Sequence, residues 1–158
     1  DIYEPYPTQY AQLKTQKYKN INFVNSLTTD YDCLISTDVL EHVNDPLDLL
    51  AKMIESVKLN GYLIIANHFY PSIKCHLPST FHFRFTFDQF AHKMGLINKG
   101  TCEANHIIIY KKVAQINFDW QQLRKMEANS KFWFPLRNGM SFAIVYTKKI
   151  IKKLLLRS

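Results

Sequence analysis

Thr37, Asp38, Glu41 and His42 crowd one short connection within YDCLISTDVLEHVNDPLDLL, the stretch from Tyr31 to Leu50. The residues before them form an apolar run and those after them announce a helix. They therefore stand where a strand opens into a helix, the edge at which parallel α/β sheets hold their ligands. Histidine at such an edge suits proton transfer, because an unperturbed imidazole titrates near neutral pH. A second group of reactive side chains follows in NHFYPSIKCHLPSTFHFRF, residues 67–85, with His68, Tyr70, Cys75, His76 and His82. A loop of that length in a compact domain usually covers or binds something. Its spacing fits no standard zinc pattern, and adjacent Cys75 and His76 suit one tetrahedral ion poorly. The expectation is a substrate-lining lid and no metal.

The surrounding elements must position these groups. Residues 1–19 are turn-rich and lead into a helical stretch from Gln9 to Lys19, and Ile21–Val24 reads as a short strand. Cys33–Thr37 is continuously apolar, as a strand buried on both faces would be. Asp45 is placed to cap a helix, with Pro46 at its first position and Asp48 in its first turn. Leu47, Leu50, Met53, Ile54 and Val57 recur at helical spacing. Asn60-Gly61 supplies a left-handed stop, and Tyr62–Ala66 is the next buried strand. Strand, helix and strand make a right-handed βαβ unit.

Further on, Thr86 and Gln89 suggest a capping box for a helix carrying Phe87, Phe90, Ala91 and Met94 on one face, ended by Gly95. Leu96–Glu103 and His106–Lys111 read as a hairpin joined at Ala104-Asn105. Beyond Lys112, Asp119 caps a short helix, KFWFPLRNG reads as an aromatic turn, and Met140–Leu156 forms a last helix. The domain division expected is 1–111 for the α/β part and 112–158 for a helical extension.

Composition narrows the class. The chain has 158 residues, of which 47% are hydrophobic, enough for a core and too apolar for disorder. Cys33, Cys75 and Cys102 form no CxxC pair, so reduced thiols in a cytoplasmic protein are expected. No apolar run approaches the roughly 20 residues that span a bilayer. The net charge is +7, with Lys148, Lys149, Lys152, Lys153 and Arg157 crowding the C-terminus. A basic, amphipathic last helix either packs on the domain with a solvated face or touches an anionic membrane surface. Nucleic-acid binding ranks below both, since no recognised motif accompanies the charge.

YDCLISTDVLEHVNDPLDLLAKMIESVKLNGYLIIANHF resembles strand 4, helix D and strand 5 of class I S-adenosylmethionine-dependent methyltransferases. The nearest branch is that of the ubiquinone-biosynthesis O-methyltransferases and the methyltransferase type 11 or 12 domains. The matching elements are Asp32, Leu40-Glu41-His42-Val43, Asp45-Pro46 and Gly61 with Tyr62–Ala66. FRFTFDQFAHKMGL is similar to the family's later segment, and the likeness covers about residues 1–111. It implies a Rossmann-like α/β sheet with an antiparallel last strand, S-adenosyl-L-methionine as cofactor, and transfer of its methyl to a small-molecule hydroxyl. A non-catalytic methyltransferase-like binding or partner domain is the alternative.

By the same resemblance, Thr37 and Asp38 close strand 4 beside the cofactor, and Leu40 to Val43 wall the methyl-transfer pocket. His42 is then the candidate general base, with Glu41 as a structural hydrogen-bond partner. Asn25 and Ser26 match the position that meets the adenine ring, where the family often has an acid. Asp1 takes the place of the ribose-binding acid at the end of strand 2, with Glu4 as its competitor. His68, Tyr70, His76 and His82 line the substrate side. The family's glycine-rich loop has no counterpart here, since the sequence holds four glycines and no GxGxG-like cluster. The expectation is an N-terminally truncated chain, lacking strands 1 and 2 and inactive by itself. Ile21–Val24 would then stand apart, and one edge of Cys33–Thr37 would be bare and prone to association.

Overall fold

Strand β1 (Ile2–Tyr3) and strand β2 (Phe23–Val24) pair in parallel, Ile2 opposite Phe23 and Tyr3 opposite Val24. The structure is a computed structural model and describes residues 1–102, 106–115 and 117–155. Helix α1 (Gln9–Thr15) joins the two strands and is capped by Thr8, whose hydroxyl accepts the Ala11 N–H. The segment expected to stand apart from the main sheet does so, but Ile2–Tyr3 accompanies it in a separate two-stranded sheet.

The main sheet has the order β3-β4-β6-β5, with β3 at Tyr31–Thr37, β4 at Val57–Ala66, β5 at Leu96–Thr101 and β6 at Ile107–Lys112. Strands β3 and β4 are parallel, whereas β6 lies between β4 and β5 and runs antiparallel to both. The architecture is therefore α/β with a mixed sheet whose last strand is antiparallel. The expected junction at Ala104-Asn105 lies outside the described residues.

Between β3 and β4 runs helix α2 (Pro46–Ser56), which begins as its sequence dictates. Asp45 Oδ1 accepts the Asp48 N–H at 3.0 Å, and Pro46 follows the cap. Leu47, Leu50 and Ile54 are at most 2% exposed and pack with Leu63, Ile65 and Phe90 in one core. Each such side chain contributes about 1.5–3 kcal/mol by leaving water.

The helix stops earlier than Asn60-Gly61 predicts. It gives way at Val57, which already pairs with Tyr31, and the chain bulges before Tyr62 pairs with Cys33. Asn60 does adopt the left-handed conformation, with φ of 69°. Gly61 is needed for a different reason: a Cβ there would lie 2.6 Å from Val57 Cγ1 and 2.8 Å from the Asp32 carbonyl oxygen. Lys112 reaches the same place, its Nζ donating to the Ile54 and Val57 carbonyls at 2.7 and 2.6 Å. It thereby adds a charged donor at the helix end, where the Ile54 carbonyl also accepts the Val57 N–H.

Four other expectations need correction. Strand β3 is not buried on both faces: Ile35 is 68% exposed and Asp32, Cys33 and Thr37 are open, because the face carrying Cys33, Ile35 and Thr37 borders an open cleft. The segment 67–85 is not all loop, since Pro78–Phe85 winds into a 3-10 helix. Thr86 precedes α3 (Phe87–Lys93) but makes no capping bond; its hydroxyl donates to the His82 carbonyl and meets Ser130 Oγ at 2.8 Å. Finally, the expected short helix, aromatic turn and last helix are one element, α4 (Trp120–Leu155), with Pro135 inside it. Its 36 residues make a rod of about 54 Å at 1.5 Å per residue. Among the described residues no helix is long and apolar enough to cross a membrane.

Candidate functional site

The carboxyl end of β3 faces β1 across an open cleft of about 1,090 Å³. Thr37, Asp38, Val39, His42 and Val43 form one wall, and the segment from Asp1 to Tyr6 forms the other. The turn leaving β3 is tightly held. Asp38 takes a φ of 51° and donates its N–H to the Ala66 carbonyl at 2.9 Å, which locks the end of β3 to the end of β4. Leu40–His42 then makes a single 3-10 turn before α2. Asp38 and His42 are thus presented from rigid backbone.

Of the residues expected to meet the cofactor, Asp1, Thr37 and Asp38 line this cleft. Asp1 precedes β1 instead of ending it, and its carboxylate accepts the Tyr31 hydroxyl at 2.7 Å and the Asn22 amide at 3.3 Å. Glu4 is the acid at the carboxyl end of β1 and also lies on the cleft wall. Asn25 and Ser26 lie elsewhere, in a smaller hollow of about 330 Å³ beside Lys52 and Glu55. Leu40 is no wall residue: it is completely buried in the core. Its position in a helical turn points it inward, a direction that the motif's order does not reveal.

The histidines separate into two groups. His42, His68 and His76 gather over the turn after β3, with ring centres 4.8 Å apart for His42 and His76 and 5.9 Å for His68 and His76. His42 Nδ1 faces the Cys75 carbonyl at 3.1 Å and His76 Nδ1 the Tyr70 carbonyl at 2.6 Å. A carbonyl only accepts, so each Nδ1 is the donor, and in the neutral imidazole each Nε2 is then the nitrogen with a lone pair. Glu41 ties the loop down, accepting the His68 N–H at Oε1 (2.6 Å) and the Leu77 N–H at its carbonyl (2.9 Å). This matches the structural role expected for Glu41.

His82 belongs to neither cleft nor cluster. It is buried, and its Nδ1 meets Ser130 Oγ of α4 at 2.9 Å. Burial first, and then the charge of Lys131, pushes its pKa down to about 4 against the weaker opposing pull of Glu127. Tyr70 is half-exposed, and its ring lies 4.3 Å from the Arg84 guanidinium.

Sequence reasoning passed over Arg84, which rests also on Phe85 and Phe134. The FHFRF pattern of alternating rings around Arg84 was the available signal. It also passed over the tie from Arg124 to Asp45 and Glu127, which anchors α4 beside the start of α2. Partial burial raises the Asp45 carboxyl, but Arg124 and the Asp48 N–H outweigh it and hold the group below the usual range. No local pattern marks a pair so far apart in the chain.

No protein-family model matches this chain, and no curated protein matches its sequence.

Proposed function

We propose that this chain carries the cleft of a class I S-adenosylmethionine-dependent methyltransferase that methylates a hydroxyl of a small molecule. The observation that carries the reading is the cleft at the carboxyl end of β3, because it joins Thr37, Asp38 and His42 on one wall to Asp1 and Glu4 on the other. A donor lying there would present its ribose hydroxyls to an acid of the β1 segment, a carboxylate–diol pairing familiar from nucleotide sites. Glu4 is the better placed of the two acids, since it directly follows β1 whereas Asp1 precedes it. The antiparallel last strand of the sheet also fits the resemblance.

The reaction asks for positioning and one proton acceptor. The acceptor oxygen attacks the methyl carbon in line with the carbon–sulfur bond. That bond breaks, and its electron pair returns to sulfur, leaving a neutral thioether. The hydroxyl proton passes to His42 Nε2, whose lone pair is free because Nδ1 donates to Cys75. Holding both reactants in attack geometry supplies much of the remaining acceleration. His68, Tyr70 and His76 would border the acceptor from the loop above.

The test is titration calorimetry with S-adenosylmethionine, on the chain itself and on a version extended upstream through its reading frame to include a glycine-rich loop. Saturable uptake by the extended protein, weakened by Asp38→Ala, is the expected result. Absence of saturable uptake in a folded extended protein contradicts the proposal.

A further inference from the structure

Glu41 has one oxygen too many for its surroundings. Its side chain is wholly buried, Oε1 is engaged by His68, and Oε2 has no hydrogen-bond partner among the described residues. A buried carboxylate oxygen left in that state is costly, and it calls for a proton, a donor or a cation. The neighbours are two imidazoles. A carboxylate oxygen of Glu41 and one ring nitrogen each of His42 and His76 lie within 4.8 Å of one another.

Both imidazoles are prepared in the same way. Each Nδ1–H is committed to a backbone carbonyl, Cys75 for His42 and Tyr70 for His76. That leaves two Nε2 lone pairs, and an outer hydrogen bond of this kind fixes the tautomer and ring orientation of metal-bound histidines. Two neutral imidazoles and one carboxylate make a donor set for a borderline divalent cation, with further positions left for water or a hydroxyl. Around a tetrahedral ion with bonds of about 2.0–2.1 Å, donor atoms stand about 3.3 Å apart.

We propose that Glu41, His42 and His76 bind one borderline divalent cation of the zinc or cobalt type at the rim of the cleft. The set is assembled by the loop after β4 folding onto the turn after β3, so residue spacing does not reveal it. Cation binding does not depend on methyl transfer. Its consequence for the acceptor does rest on that reading: a cation on His42 Nε2 would replace the imidazole as the group that favours the acceptor's ionised form, acting as a Lewis acid while the hydroxyl proton leaves to solvent water.

Cobalt(II) titration of the full chain, followed by visible absorption and calorimetry without any methyl donor, tests the site. The expected result is one equivalent bound, competed by zinc, with no thiolate-to-cobalt charge-transfer band. His76→Gln should weaken affinity by about tenfold or more, while Cys75→Ser and His92→Gln, both at exposed positions, leave it unchanged. Ring-nitrogen NMR of the unsubstituted chain gives a reading free of folding effects, with zinc moving the Nε2 signals of His42 and His76. Absence of saturable binding overturns the proposal. So does binding that survives His76→Gln but is lost with Cys75→Ser, or zinc that leaves both Nε2 signals unmoved. Because no donor is present, failure here leaves the cleft's donor binding untested by this measurement and separately answerable.

Discussion

Ser130 Oγ lies 2.9 Å from His82 Nδ1, a buried contact that helps join α4 to the 3-10 helix following the histidine loop, beside the packing of Arg84 and Phe85 on Phe134. Thr86 Oγ1 meets the same serine at 2.8 Å, so three side chains close a buried polar knot under α4. Lys131 and Glu127 are the charged groups that act on His82 there.

Because the folded protein holds the His82 pKa down to about 4, while an unfolded histidine titrates near 6.5, the unfolded chain binds more protons between those values. Stability contributed by neutral His82 is thus complete above about pH 6.5 and drains away as pH falls toward 4. The expected loss is on the order of 2–3 kcal/mol. Urea unfolding at pH 7 and pH 4.5 should show it, and His82→Leu should shrink the difference. An equal pH dependence in wild type and variant would remove His82 from the account.

Gly61→Ala should be among the most damaging small substitutions. The added methyl would meet Val57 Cγ1 at 2.6 Å and the Asp32 carbonyl at 2.8 Å, and the second is backbone of β3 that cannot turn aside. Overpacking of this kind costs about 1–3 kcal/mol. Thermal unfolding of the variant measures it, and an unchanged midpoint would mean that the β3–β4 bulge is far softer than described.

Asp45 serves two partners at once, capping α2 through the Asp48 N–H and pairing with Arg124 of α4. Arg124→Met removes that half-exposed ion pair, worth about 0.2–1 kcal/mol, together with the Glu127 contact and the stacking on Trp120. Asp45→Ala removes the cap as well, adding about 1 kcal/mol. A double-mutant cycle read by urea unfolding isolates the Asp45–Arg124 pair, and its coupling should fall in the range of about 0.2–1 kcal/mol. A coupling of zero would mean that the pair does not tie α4 to α2.

Local chemistry explains what could be read from the sequence. Asp45-Pro46 and the spacing from Leu47 to Ile54 specify a capped, one-faced helix wherever they occur, and α2 starts and buries its face accordingly. Tyr62–Ala66 and Ile107–Lys111 likewise carry their strand character within themselves. The misreadings arise where distant contacts decide. Pro135 suggests a break, because it removes one ladder hydrogen bond and crowds the carbonyl four residues back, yet α4 continues through it. Thr86 looks like a cap, but Ser130 and the His82 carbonyl claim its hydroxyl. The apolar run of β3 suggested two covered faces, whereas only one of its edges is paired in the sheet.

The candidate site shows the same division. Thr37, Asp38 and His42 reach the cleft because the strand-to-helix turn places them there by local geometry. His82 was grouped with His68 and His76 on loop proximity, but the 3-10 helix at Pro78–Phe85 carries it into the α4 contact. His42 and His76 come from different segments, and only the fold of the loop brings them together over Glu41.

The central claim is that the cleft between β1 and the end of β3 receives a sulfonium methyl donor. Amide NMR during titration with S-adenosylhomocysteine tests it most directly, on the upstream-extended protein with these residues assigned. Saturable shifts confined to Ile2–Glu4, Thr37–Val39 and His42 are expected. Saturable shifts centred instead on the hollow beside Asn25, Ser26 and Lys52, or no shifts at saturating ligand, would contradict it.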